Sequence, residues 1–192
     1  MWNIFEGRVG CETSHCLPEL ASRVVAAKQV SQPTLFEGYD YHTTPEFTLN
    51  SLKCKARVVD IYDGDTCTLV IPVNSTMYKF NVRLFGIDTC EMKSKDESQK
   101  EKAIQARNRL IELVTGGKIG KEEIKTRKDI VAILNSNIYT VNIECLEMDK
   151  YGRVLAKLYS ETDESTTFSD ILINEGLAYK YYGGTKQALS SL

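Results

Sequence analysis

The sequence predicts an α+β fold, mainly β: five short strands forming a small barrel, helices packed on it, and an N-terminal extension. Three observations carry this. Apolar and polar side chains alternate with a period of two in separate segments between Lys53 and Tyr159. A helical stripe interrupts them after the third segment, and a shorter helix follows the fifth. Turn-forming residues at Asp63-Gly64, Asn74-Ser75 and Glu147 to Gly152 separate the strands.

Residues 1–52 have a different texture and are taken as an extension of unknown role. A short helix is expected from Pro18 to Lys28, with proline in its first turn and Leu20, Val24 and Ala27 on one stripe. Pro33, Gly38 and Pro45 then punctuate a segment containing Tyr39, Tyr41 and Phe47, expected to be irregular or draped over the main domain. That domain is placed at residues 53–183, with 184–192 as a short tail.

In the first strand Cys54, Ala56 and Val58 alternate with Lys53, Lys55 and Arg57, and in the second Cys67, Leu69 and Ile71 share a face. The third runs from Tyr78 to Gly86, with Tyr78, Phe80, Val82 and Leu84 on one face and Arg83 on the other. A helix follows, capped by Asp96 with Gln99 three residues on, striped by Ala103, Ala106, Leu110 and Leu113, and ended by Gly116-Gly117. Lys118 to Asn137 lacks clean periodicity and is expected to be a solvated insertion with at most a short helix. Strands return at Ile138 to Leu146 and at Arg153 to Tyr159, where Val154, Ala156 and Leu158 point inward and Arg153 outward. A last helix spans Phe168 to Glu175, and Leu177 to Tyr182 is extended. This order is compatible with a five-stranded oligonucleotide-binding (OB-type) barrel.

Of the formal net charge of −2, residues 1–52 contribute −3, from three Lys/Arg and six Asp/Glu, and the remainder +1. A polyanion would therefore be held by a local basic site and not by a global field. The six cysteines show no Cys-x-x-Cys spacing, which points to reduced thiols and an intracellular, cytoplasmic reducing compartment rather than a disulfide framework. Cys11, His15 and Cys16 lack a fourth zinc ligand. The N-terminus has neither the basic start nor the apolar run of a secretory signal, and no stretch is long and apolar enough for a membrane span.

Three polar stretches share a character: Asp63-Gly64-Asp65-Thr66, Arg83 to Glu91, and Asp149-Lys150-Tyr151-Gly152-Arg153. Asp65, Asp88 and the Thr89 region offer hard oxygen donors with no histidine or paired cysteine nearby, a set that suits calcium, magnesium or manganese. Two carboxylates leave coordination positions open, so affinity should be weak, on the order of 0.1 to 1 mM. Arg83 and Arg153 suit a phosphate, because a guanidinium presents paired donors and keeps its charge. Glu91 is placed to orient or deprotonate an attacking water, and Tyr151 and Tyr182 to stack on bases or to bond phosphate.

These motifs, in this order, resemble the staphylococcal nuclease (thermonuclease, SNase-like) family over roughly Lys53 to Tyr182. The resemblance implies a calcium-dependent phosphodiesterase on an OB-type barrel, cutting DNA and RNA with little sequence preference to leave 3′-phosphate ends. By position it makes Asp65, Asp88 and the Thr89 carbonyl the ligands of one calcium ion, Arg83 and Arg153 the phosphate clamp, and Glu91 the residue acting on water. Lys150, Tyr151 and Tyr182 would line the nucleotide site of a monomer. The alternative is a non-catalytic module of the same fold that binds nucleic acid or protein. Three departures stand out: Cys90 in place of the usual proline between Thr89 and Glu91, a longer 118–137 connection, and a chain too short after Tyr182 for the long closing helix of secreted members.

Overall fold

A computed structural model describes residues 35–119, 124 and 126–183. The helix expected at Pro18 to Lys28, the Cys11, His15 and Cys16 group, and the 184–192 tail lie outside these residues. The chain divides between Pro45 and Glu46 into two compact units. In the first, the described residues form turns, with the Asp40 carboxylate accepting from the backbone N–H of His42 at 2.7 Å and of Thr43 at 2.8 Å. Among the described residues no helix is long and apolar enough to cross a membrane.

The second unit holds a closed barrel of five strands: β1 (Lys53–Ile61), β2 (Thr66–Val73), β3 (Thr76–Leu84), β5 (Thr140–Met148) and β6 (Val154–Tyr159). Their order around it is β1-β2-β3-β6-β5. Every neighbouring pair is antiparallel except β3 and β6, which run parallel through Val82↔Val154, Arg83↔Leu155 and Leu84↔Ala156. A parallel pair needs a long crossover. Here it consists of β4 (Ile87–Asp88), α1 (Glu97–Thr115), α2 (Arg127–Ser136) and β5. The chain then adds α3 (Phe168–Asn174) and β7 (Tyr179–Lys180), which pairs antiparallel with β4.

The alternation seen in the sequence is the alternation of burial. Ala56, Val58, Leu69, Ile71, Val82, Leu84, Ala156 and Leu158 are each at most 1% exposed and fill the barrel. β1 keeps its inward set by a bulge between Val58 and Asp60, which shifts the phase so that Ile61 also points in. Asn74 and Ser75, both at positive φ, close the β2–β3 hairpin as a two-residue loop. β3 ends at Leu84, two residues short of expectation, and Tyr78 on its apolar face is exposed although its partner Ile71 on β2 is buried.

At the start of α1, Asp96 accepts from the Ser98 N–H at 2.9 Å, but Gln99 turns to the Ser94 hydroxyl instead of completing a reciprocal box. In the 118–137 region the short helix is present, but the expectation that the segment is solvated is corrected. α2 opens with a capping box between Thr126 and Asp129 and buries Ile130 and Leu134 in the core cluster. Two apolar residues one helical turn apart suffice to seat it. Arg127 of α2 also donates from Nε to Asp60 of β1 at 3.1 Å.

Candidate active site

The parallel β3–β6 contact fixes where the polar groups meet. Arg83, near the end of β3, points away from the barrel interior towards the β1–β2 loop, and the chain then turns at Gly86, φ +84°. Only glycine takes that conformation without cost. The turn is pinned from outside, since Ser169 of α3 donates its hydroxyl to the Phe85 carbonyl at 2.9 Å and the Tyr181 N–H donates to the Gly86 carbonyl at 2.9 Å. Asp88 and Thr89 follow at once, Asp88 bonded to Arg83 and Thr89 to Asp65.

Asp65 and Asp88 are each 2% exposed. Arg83 bridges them: Nη1 donates to Asp65 Oδ1 at 2.9 Å and Nη2 to Asp88 Oδ1 at 2.5 Å, with a further bond from Nη2 to the Ile87 carbonyl at 3.3 Å. Asp65 also accepts from the Thr66 hydroxyl at 2.8 Å and from the Thr89 N–H and hydroxyl at 3.2 and 3.4 Å. Tyr179 of β7 donates its hydroxyl to the second oxygen of Asp88. Burial, and then the charge of Asp63, push Asp65 above the usual carboxylate range against the pull of Arg83. Burial and the bond to Asp88 raise the Tyr179 phenol.

The β1–β2 loop that presents Asp65 fits closely against α1. A Cβ at Gly64 would stand 2.6 Å from the Ala106 Cβ and 2.9 Å from the Thr89 Cγ2, so only glycine lets loop, helix and the turn after β4 meet.

Arg153 stands just before β6, in the β5–β6 turn. Asp149 organises that turn by accepting from the N–H groups of Tyr151 and Arg153 at 2.8 and 2.9 Å, and its other oxygen takes Arg153 Nε at 2.7 Å. Burial would raise the Asp149 carboxyl, but the bonds from Arg153 and Tyr151 hold it below its ordinary value. The Tyr151 ring lies 5.1 Å from Lys150 Nζ and 5.6 Å from Arg153 Cζ. Tyr182 meets Phe85 edge-on at 5.7 Å.

All nine residues singled out in the sequence, Asp65, Arg83, Asp88, Thr89, Glu91, Lys150, Tyr151, Arg153 and Tyr182, line one open cleft of about 790 Å³. Asp149 and Tyr62 were not picked out as participants, and Tyr179, readable from the sequence as an aromatic for barrel packing or base contact, was not foreseen as a partner of Asp88. Tyr179 sits one position from the phase that an extended strand would bury, and a two-residue strand has no periodicity to reveal its partner. Asp149 lies in the third motif, where its likeness to any turn aspartate hides its hold on Arg153.

Asp65, Asp88 and Thr89 present hard oxygens without sulfur or imidazole, a donor set that fits a dication such as calcium. Among the described residues no group of three or more His, Cys, Asp or Glu is arranged to hold a metal. Arg83 lies between the two carboxylates, so a cation there competes with its guanidinium.

A family model of staphylococcal nuclease homologues matches residues 81–191, more than half of the chain. The chain belongs to this family. The matched stretch contains Arg83, Asp88, Thr89, Glu91 and the β5–β6 turn, and it starts after Asp65, which the fold brings to Arg83 from outside it. No curated protein matches the chain.

Proposed function

We propose that the cleft is the active site of a calcium-dependent nuclease that hydrolyses phosphodiester bonds of DNA or RNA. The observation that carries this is the convergence of two buried carboxylates, two arginines and Glu91 on one open cleft, brought from the β1–β2 loop, β3, the turn after β4, and the β5–β6 turn. Neither the packing of the barrel nor its hairpins require that set.

Hydrolysis forms a bond from a water oxygen to phosphorus and breaks the P–O5′ bond, leaving a 3′-phosphate and a 5′-hydroxyl. Glu91 orients the water and takes its proton. Arg83 and Arg153 each face non-bridging oxygens with paired N–H donors, where negative charge grows in the transition state. Asp149 keeps the Arg153 fork aimed, and Lys150, Tyr151 and Tyr182 hold the nucleotide. Asp65, Asp88 and the Thr89 carbonyl would hold one calcium ion, which when bound polarises the phosphoryl oxygen. When Arg83 turns to a phosphate, Thr66, Thr89 and Tyr179 still hold the acids. The four free thiols Cys54, Cys67, Cys90 and Cys145 support work in a reducing, intracellular compartment, and we take the active form to be a monomer.

Plasmid digestion tests this. Cleavage is expected with millimolar calcium and should stop with chelator. A non-catalytic binding module is the second reading, favoured by the commitment of Arg83 to both acids and of Arg153 to Asp149. Binding that persists without cleavage at millimolar calcium would decide for it.

A further inference from the structure

We propose that Tyr62 forms a second base-stacking position, on the far side of the scissile phosphate from Tyr151, so that the cleft grips a single strand across at least two nucleotides. This rests on the nuclease reading above. β3 has two neighbours in the barrel, β2 and β6. The β1–β2 loop and the β5–β6 turn therefore flank Arg83 from opposite sides. Lys150 and Tyr151 occupy the second flank. Tyr62 occupies the first, lining the same cleft and 39% exposed.

The Tyr62 ring is held ready to receive a base. Its backbone is fixed by donation to the Thr66 carbonyl at 2.9 Å, where the hairpin closes. Arg127 Cζ lies over the ring, 5.0 Å from its centroid, and the same guanidinium is anchored on Asp60. α2, absent from a barrel's minimum needs, thus braces an aromatic at the lip of the cleft. The ring hydroxyl has no hydrogen bond to the described residues.

Charge separates the two flanks by function. Lys150 and Arg153 make the β5–β6 side basic. Around Tyr62 stand Asp60, which pairs with Arg127, and Asp63, and the uncharged Tyr62 ring itself contacts the base and not a phosphate. A base can lie on an aromatic face only once it is unstacked, which selects single-stranded or locally opened nucleic acid.

The test uses the full chain carrying Glu91→Gln to slow turnover, with calcium, and separately the chain with chelator. Binding of a fluorescent tetrathymidylate and of thymidine 3′,5′-bisphosphate is followed by anisotropy and calorimetry over a range of salt. Tyr62→Ala is expected to weaken the tetranucleotide roughly 5- to 100-fold. It should leave the bisphosphate affinity and the salt slope unchanged, because no phosphate contact is lost. Tyr62→Phe, of the same shape, should bind as the parent does. An unchanged tetranucleotide affinity in Tyr62→Ala, an equal loss for the bisphosphate, or a shallower salt slope overturns the proposal while leaving the nuclease reading intact. A parent protein that binds neither ligand overturns both.

Discussion

Arg83 is the counter-ion of two buried carboxylates, and under the proposed function the same charge also meets the substrate phosphate. Two carboxylates at 2% exposure need a counter-ion, and Arg83 is the cation bonded to both. Removing one partner of a buried pair leaves uncompensated charge, at a cost of about 3 to 5 kcal/mol. Arg83→Met should show this in urea denaturation near neutral pH. The sign of the pH dependence follows from Asp65. Burial already raises its folded pKa, and losing the guanidinium raises it further. A carboxyl with a raised folded pKa disfavours the native state progressively as pH climbs from its unfolded value, about 4, through the folded one. The deficit of Arg83→Met should therefore be greatest near pH 7 and shrink towards pH 4; a deficit flat with pH would mean the acids do not depend on Arg83. Arg83→Lys restores the charge but not the fork, and should recover stability better than activity. Glu91 differs in kind, since it is exposed and is assigned to water. Glu91→Ser should lower kcat by roughly 10²- to 10⁴-fold with nucleotide binding nearly intact, and parallel loss of both would remove Glu91 from that role.

Whole elements were legible where many residues repeat one choice. Ala56, Val58, Leu69 and Ile71 announce their strands because each lies two positions from another inward residue, and Asp96 and Gly116 bracket a long α1. α2 was expected only as a short helix of a solvated insertion, and its place in the core was hidden because its buried face is two residues, Ile130 and Leu134, amid charged neighbours. Its β4–β7 counterpart was hidden for a similar reason: with two residues a side, pairing is set by tertiary context alone. If α2 belongs to the core, Leu134→Ala should cost about 2 to 5 kcal/mol, and Thr126→Ala about 1 kcal/mol through the lost cap. Values near zero would return the segment to the surface. The fit of the β1–β2 loop on α1 makes a sharper case. Gly64→Ala should destabilise by about 1 to 3 kcal/mol and slow cleavage, since the new methyl pushes on Thr89 beside Asp65. Adding Ala106→Gly opens the larger of the two clashes and should return part of both losses, which a double-mutant cycle would measure.

At the scale of the molecule, the site depends on strands far apart in sequence being closed into one barrel, and the closure begins before the alternation does. Lys53 is where period two starts and where the sequence places the domain's edge. Leu49, four residues earlier, is 4% exposed and belongs to the barrel's core cluster. A single leucine between Thr48 and Asn50 carries no pattern, which is why its burial could not be read. It is tied in by the backbone as well: the Leu52 N–H donates to the Leu49 carbonyl at 3.0 Å, and the Ser51 N–H to the Cys145 carbonyl of β5 at 2.9 Å. Two truncations separate the contributions. A chain starting at Glu46 keeps Leu49 and both bonds, whereas one starting at Lys53 loses them and leaves a gap in the core cluster. The second should be less stable than the first by about 2 to 4 kcal/mol, the usual cost of emptying a buried leucine site. Urea melts of the two chains measure the difference directly. Equal midpoints would mean that the barrel closes without residues 46–52, and that Leu49 is a passenger on a core complete from Lys53 onward.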